Sequence, residues 1–298
     1  MRVVIVGSAG QIGSELMRAP IPAGWQRADL GRAELDITDE RAVAAALAAC
    51  RPDLVINAAA YTAVDRAESD RDNAVAVNAT GPAILARRCA AIGAALIHYS
   101  TDYVFDGAKA APYREADPVN PLGVYGASKE AGERAVRATL ARHVILRTSW
   151  VYGTEGGNFV KTMIRLAGER PELSVVADQF GCPTAAADIA EATIEVATAI
   201  AAGRASWGTF HYAGTGATSW HGFATAIIGE AAKRSGRRPD VRPISSADYP
   251  TPARRPANSV LDCAAIAGAY GIHGKPWPQS LSRIIDSILH DAEIRRGS

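Results

Sequence analysis

Short apolar runs without alternation punctuate the first half of the chain, and alanine-rich stretches of helical spacing separate them. Val3-Val4-Ile5-Val6 reads as a strand, and residues 12–18 as the start of a helix. A second helix spans 41–50 and a second strand 53–57. Residues 81–92 read as helix, 95–99 as strand, 127–140 as helix and 144–147 as strand. Unbroken apolar runs suit strands covered on both faces, and helices between them imply a parallel sheet. Past Trp150 the rhythm loosens. Helical stretches remain at 158–169, 187–202 and 223–235, but the loops lengthen, and the proline-rich segment 243–258 cannot be helical throughout. The expected fold class is α/β: a Rossmann-type doubly wound parallel sheet with a smaller, irregular α/β second part.

Composition narrows the function classes. Of 298 residues 48% are hydrophobic, enough for a substantial core, and the net charge of +1 argues against a protein that coats nucleic acid. No apolar stretch reaches about 20 residues, so no membrane span is expected. The opening apolar run turns to glycine too early for a secretory segment. Cys50, Cys89, Cys182 and Cys263 are scattered and form no CxxC pair, which fits reduced thiols in a cytoplasmic protein. The six histidines show no metal-ligand spacing, and no metal is expected.

Gly7-Ser8-Ala9-Gly10-Gln11-Ile12-Gly13 lies directly between the first strand and the first helix. Gly7 permits a tight turn, Gly10 lets backbone approach a pyrophosphate, and Gly13 lets helix and strand pack closely. The phosphates then meet the unpaired N–H groups of the helix N-terminus. Residues 1–150 are therefore expected to be a dinucleotide-binding Rossmann domain to which later segments can return, and 151–298 mainly a substrate-binding domain. An acidic residue about 20 positions beyond the loop usually holds the adenosine ribose. Asp29 is near that position, Arg32 follows it and suits a 2′-phosphate, and Asp36 is a further polar candidate on the adenine side. NAD and NADP both stay open.

Tyr125-Gly126-Ala127-Ser128-Lys129 places a phenol and an ammonium on one helix face. A nearby lysine cation stabilises a phenolate and lowers the tyrosine pKa, and it can also hold a nicotinamide ribose. The motif alone is short. Tyr99-Ser100-Thr101-Asp102 strengthens it, because it ends a strand where a ligand-facing hydroxyl belongs. Thr101 can then bind the carbonyl that Tyr125 protonates. The order of glycine loop, hydroxyl and Tyr-Lys pair points to hydride-transfer chemistry.

At these residues the chain resembles the extended short-chain dehydrogenase/reductases, in the branch that modifies nucleotide sugars. The likeness runs through four longer strings: 57–65 (NAAAYTAVD), 98–105 (HYSTDYVF), 147–152 (RTSWVY) and 249–256 (YPTPARRP). It implies NADPH- or NADH-dependent reduction of the 4-keto group of dTDP-4-dehydro-β-L-rhamnose (dTDP-4-dehydrorhamnose). The product, dTDP-L-rhamnose, is a donor for surface polysaccharide. The resemblance implies Tyr125 as proton donor, Lys129 as its partner and a cofactor ligand, and Thr101 as the group orienting the keto oxygen. It also implies Asp102 and Trp150 in the sugar pocket, and Arg255 on the substrate phosphates. Gly10, Gln11 and Ile12 would meet the cofactor phosphates. Asp36 and Ile37 would lie near adenosine, with Ala60, Tyr61, Thr62 and Tyr99 along the rest of the cofactor.

Two departures matter. Related sugar dehydratases carry Thr-Asp-Glu, since elimination needs a second carboxyl group, and here Tyr103 follows Asp102. Some relatives bridge a dimer through Mg²⁺ held by glutamates. Glu15 matches one such position, but Ala187 stands where another carboxylate would be, so no metal is expected and a monomer or a homodimer is left open. Another nucleotide-sugar reductase or epimerase, or a non-catalytic cofactor-binding regulatory subunit, is the alternative reading.

Overall fold

The computed structural model describes the backbone of residues 1–297 and the side chains of residues 1–290. The chain begins with β1 (Arg2–Val6), α1 (Gln11–Arg18), β2 (Gln26–Leu30), α2 (Glu40–Cys50) and β3 (Leu54–Asn57). The short helices α3 (Val64–Ala67) and α4 (Arg71–Val75) follow, then a π-helical turn (Ala76–Thr80) that runs into α5 (Gly81–Ile92). Next come β4 (Ala95–Thr101), a 3₁₀ turn (Asp102–Val104), α6 (Val124–Thr139) and β5 (His143–Thr148). The second half holds β6 (Val151–Tyr152), α7 (Phe159–Glu169), β7 (Glu172–Val176), β8 (Phe180–Gly181), β9 (Thr184–Ala185), α8 (Ala186–Ala201) and β10 (Gly208–His211). It ends with β11 (Thr218–Ser219), α9 (Trp220–Ser235), β12 (Asp240–Ile244), α10 (Ala264–Tyr270) and α11 (Trp277–Gly297).

Six strands form one parallel sheet in the order β10-β5-β4-β3-β1-β2. Every residue of β3, β4 and β5 is buried, which is why these strands lack alternation. One face packs on Leu16 of α1, Ile189 and Val196 of α8 and Ile266 of α10. The other packs on Leu47 of α2, Leu85 of α5 and Val136 of α6. The α/β doubly wound expectation is met. The sequence reading passed over β2, whose Gln-Arg-Ala-Asp-Leu is polar because it is a half-exposed edge strand.

From β1 the chain crosses to β2 on one side and then to β3 on the other, so the loops after β1 and β3 diverge. Ligands bind such sheets in that crevice, beyond the carboxyl ends of the strands. Across the cleft, α7, α9 and α11 pack around Phe223, Ile227 and Leu281 with the two-stranded β7–β12 sheet. The chain also returns to the large sheet, because β10 extends it beside β5. Among the described residues no helix is long and apolar enough to cross a membrane.

Candidate active site

The loop after β1 turns through Gly7 at φ +81°, a left-handed backbone that side chains resist. A Cβ on Gly7 would lie 2.5 Å from the Ala59 nitrogen, and one on Gly13 would lie 2.1 Å from the Gly7 oxygen. Strand, loop and helix therefore close only around glycine. Gly10 differs. A Cβ there would meet only the Gly7 oxygen, at 3.4 Å, so the side facing the crevice is open. Gly10 caps α1 without any side-chain hydrogen bond, and the first turn holds no acidic residue. Its free N–H groups and positive helix end suit a pyrophosphate, so the residues present fit a dinucleotide.

Gln11 reaches across the cleft, where its Oε1 accepts a bond from Asn158 Nδ2 (3.1 Å). Ile37 is buried in the core, and Asp36 is closed on Thr38, accepting from its amide (2.9 Å) and hydroxyl (2.7 Å). Those bonds hold Asp36 below the usual carboxylate range. Beyond β3, the backbone of Tyr61 is clamped by Asn78, whose Oδ1 accepts from the Tyr61 amide (2.8 Å) and whose Nδ2 donates to its carbonyl (2.9 Å). Asn78 also donates to Ser128 Oγ of α6 (3.0 Å), tying the Ala60-Tyr61-Thr62 loop to the helix that carries Tyr125. The sequence reading missed Asn78. A polar residue inside an alanine-rich helical run was its one visible signal.

Tyr125 stands in the first turn of α6, close enough for the Thr101 hydroxyl at the end of β4 to act on its phenol. The amide of Val124 donates to Glu68 Oε1 (2.8 Å), so a side chain from the α3 region caps this helix start. Thr101 Oγ donates to Asp102 Oδ1 (2.9 Å) and accepts from the Tyr103 amide (3.2 Å). Asp102 Oδ2 has no partner, since the nearby Ser259 hydroxyl donates to the Phe180 carbonyl (3.3 Å). Burial pushes the Asp102 carboxyl up to about 7.

Lys129 is buried and donates from Nζ to the Tyr99 carbonyl (2.6 Å). Burial lowers its pKa to about 8, with Glu133, one turn along α6, opposing. The expected lowering of Tyr125 by Lys129 is not found in this structure. Burial, with the Asp102 charge adding to it, pushes the phenol up to about 12. The Tyr99 ring is packed in the core and its hydroxyl bonds Thr193 (2.6 Å), so it is the Tyr99 carbonyl that faces Lys129. Beneath these groups, Arg147 of β5 forks onto Glu133 (2.8 and 2.7 Å), both fully buried. Arg147 holds Glu133 ionised against the cost of burial.

Thr62, Tyr103, Trp150, Trp220 and Arg255 line a cavity of about 600 Å³. Thr62 thus lies on this cavity, away from the phosphate end. Trp150 adopts φ +48° and stacks on Trp220 with ring centres 3.5 Å apart. Left-handed backbone at a bulky residue is strain of the kind found at functional sites. Arg255 Nη2 bonds Asp65 Oδ2 (2.8 Å), while Arg254 is exposed. Trp220 and Asp65 were not assigned roles from sequence, since only the fold brings them here. Glu15 pairs with Arg18 (3.2 Å), and Asp188 is buried between Arg283 (2.9 Å) and Lys275 (3.3 Å).

Comparison with known proteins agrees with this geometry. The model of the RmlD substrate binding domain family matches residues 1–290. A dTDP-4-dehydrorhamnose reductase of Sinorhizobium fredii is 44% identical over 97% of this chain and 98% of its own. Crystal structures of dTDP-4-dehydrorhamnose reductases superpose closely. The one from Clostridium acetobutylicum gives a TM-score of 0.90 at 38% identity, covering 97% of this chain and all of that one. The one from Bacillus anthracis, in complex with NADP, gives 0.87 at 38% identity, covering 96% and 99%. The chain belongs to the RmlD substrate binding domain family.

Proposed function

We propose that the chain reduces the C4 keto group of dTDP-4-dehydro-β-L-rhamnose to dTDP-L-rhamnose with NADPH or NADH, in the cytoplasm. One observation carries the reading. The Tyr125 phenol, Thr101 and Lys129 converge at the carboxyl end of β4, two strands from an open glycine loop. Relatives named for this activity match nearly the whole chain.

Bound reduced nicotinamide supplies the hydride to C4; everything else falls to the protein. Negative charge then gathers on the keto oxygen, and Tyr125 delivers the proton to it. A phenol raised to about 12 keeps its proton at neutral pH and is still a stronger acid than the sugar alcohol formed when the alkoxide takes that proton. Thr101 has a single hydroxyl proton, spent on Asp102, so it meets the keto oxygen by rotating off that carboxyl. Lys129 spends one N–H on Tyr99 and keeps two for the nicotinamide ribose and the nascent phenolate. Arg255, steadied by Asp65, presents a planar fork to the substrate diphosphate. Trp150, stacked on Trp220, gives the sugar a flat apolar wall, and the buried Asp102 carboxyl meets a sugar hydroxyl. With Tyr103 where a second carboxyl group would stand, the site is built for reduction without elimination.

The test is stoichiometric loss of reduced-nicotinamide absorbance on dTDP-4-dehydrorhamnose generated in situ, with NADPH and then NADH. Tyr125→Phe should fold and bind cofactor unchanged while turnover falls about 1,000-fold. Absence of net oxidation by the wild type, despite measured cofactor binding, would overturn the reading.

A further inference from the structure

Residues 153–158, Gly-Thr-Glu-Gly-Gly-Asn, carry the chain from β6 to α7 and lie along one face of α1. They are fastened to it at Gln11, Glu15 and Arg18, positions that share a helix face. Asn158 Nδ2 donates to Gln11 Oε1 (3.1 Å), Thr154 Oγ donates to Glu15 Oε1 (3.3 Å), and Arg18 bonds Glu155. Gly156 takes φ +65°, and a Cβ on it would lie 3.3 Å from Gln11 Cγ.

Asn158 is the centre of this contact, and its whole side-chain amide is engaged. Oδ1 accepts from the Lys161 amide (3.1 Å) and so caps α7, while Nδ2 donates to the Gly153 carbonyl (2.8 Å) as well as to Gln11. One amide therefore joins the start of α1, the connecting strap and the start of α7. Gln11 opens α1, the helix end suited to a pyrophosphate. From the other end of the link, α7 sends Phe159, Thr162, Met163 and Leu166 into the wall of the cavity of about 600 Å³. The direction of the Gln11 bond matters too. With Oε1 anchored on Asn158, the polar group Gln11 has left to offer is Nε2, a donor. A donor suits an anionic phosphate, whereas the reversed amide would set a carbonyl oxygen against it.

Resting on the cofactor and substrate reading above, we propose that Asn158 is a positioning residue that orients the Gln11 amide for the cofactor phosphates and couples the cofactor site to the sugar-nucleotide cavity through α7. A phosphate on Gln11 Nε2 holds that amide still, and Gln11 Oε1 in turn holds Asn158 and the first turn of α7. The α7 wall of the cavity is then set before the sugar nucleotide arrives. The linkage is reciprocal, so a bound nucleotide tightens the cofactor by the same factor.

Titration of the intact protein with dTDP by calorimetry and with NADPH by fluorescence, each with and without the other ligand, tests this. The wild type should bind dTDP about fivefold more tightly once NADPH is in place. Asn158→Ser keeps a hydroxyl cap on α7 but is too short to reach Gln11 as well. It should bind NADPH about fivefold more weakly and show one dTDP affinity whether or not NADPH is present. In the double variant with Gln11→Ala, NADPH should bind no more weakly than in Gln11→Ala alone, since both changes remove one contact. A merely structural Asn158 would leave the dTDP ratio at its wild-type value and add its loss to that of Gln11→Ala, and this result overturns the proposal. Should Asn158→Ser fail to fold, Gln11→Ala decides from the other end of the bond: it has to abolish the ratio, and a retained ratio overturns the proposal. A wild type that binds both ligands independently overturns it as well, leaving the reductase reading intact. A wild type that binds neither overturns the reading on which it rests.

Discussion

At the phosphate end of the cleft the contacts that shape the site are mostly between backbone atoms of neighbouring segments: Gly7 against Ala59, Gly13 against Gly7, Gly7 against Leu30. At the end lined by Trp150, where the proposed sugar would sit, they are between side chains far apart in the chain, such as Trp150 on Trp220 and Asp65 on Arg255. The first end is closed by backbone and leaves only the amides at the start of α1 free. The second keeps a strained Trp150 and an unpartnered Asp102 oxygen. Recognition of a phosphate chain needs only amides held at a helix start, which a short loop provides. Recognition of one sugar needs directed polar and aromatic groups, and these have to be gathered from both halves.

The sharpest break in this comparison comes from two alanine substitutions in one loop. Gly13→Ala, with a Cβ 2.1 Å from backbone oxygen, should cost about 3 kcal/mol of stability in a denaturant titration. Gly10→Ala should fold within about 0.5 kcal/mol of the wild type, yet bind cofactor markedly more weakly by fluorescence titration. Equal stability losses would show that the loop is not closed where the geometry says it is.

Next in size is Glu133→Gln, which leaves Arg147 buried opposite a neutral group and should cost about 3 kcal/mol. It also removes the charge that opposes the lowering of Lys129. In the wild type the ammonium is lost as pH rises through about 8, so kcat/KM should fall above that pH. The alkaline limb should move to lower pH in Glu133→Gln; an unmoved limb would reduce Glu133 to a purely structural role. The stability sign is opposite. A lysine lowered in the fold binds fewer protons than in the unfolded chain between about 8 and its ordinary value, so it contributes rising stability across that window.

The smallest effect tests the sugar end. Trp220→Leu removes the stacking partner of Trp150 without touching the proton relay. KM for the sugar nucleotide should rise about fivefold with kcat little changed. A matching fall in kcat would mean that Trp150 is held for the reacting geometry as well as for binding.

The four inner strands of the parallel sheet were legible because burial on both faces leaves unbroken apolar runs, and the glycine loop because Gly7 and Gly13 admit no side chain. Residues 125–129 were legible because an i, i+4 pair is a local property of a helix. The edge strands β2 and β10 were not: half exposure erased the apolar signature of β2, and β10 is a four-residue Gly-Thr-Phe-His segment with no apolar run. Local sequence also misjudged the direction of the Tyr125 pKa shift. Which way a strand residue faces, and which carbonyl a lysine reaches, depend on the helix packed above.

The sequence by itself determined the strand-loop-helix around Gly7 and Gly13 and the placement of Tyr125 and Lys129 on one helix face, because each rests on neighbours within a few residues. Only the tertiary structure decided that Asn78 clamps the loop after β3, that Glu34 covers Gly31, that Trp220 stacks on Trp150 and that Asp65 bonds Arg255. Those contacts join segments whose separation along the chain carries no periodicity, so they exist only once the buried sheet has brought the ends of its strands together.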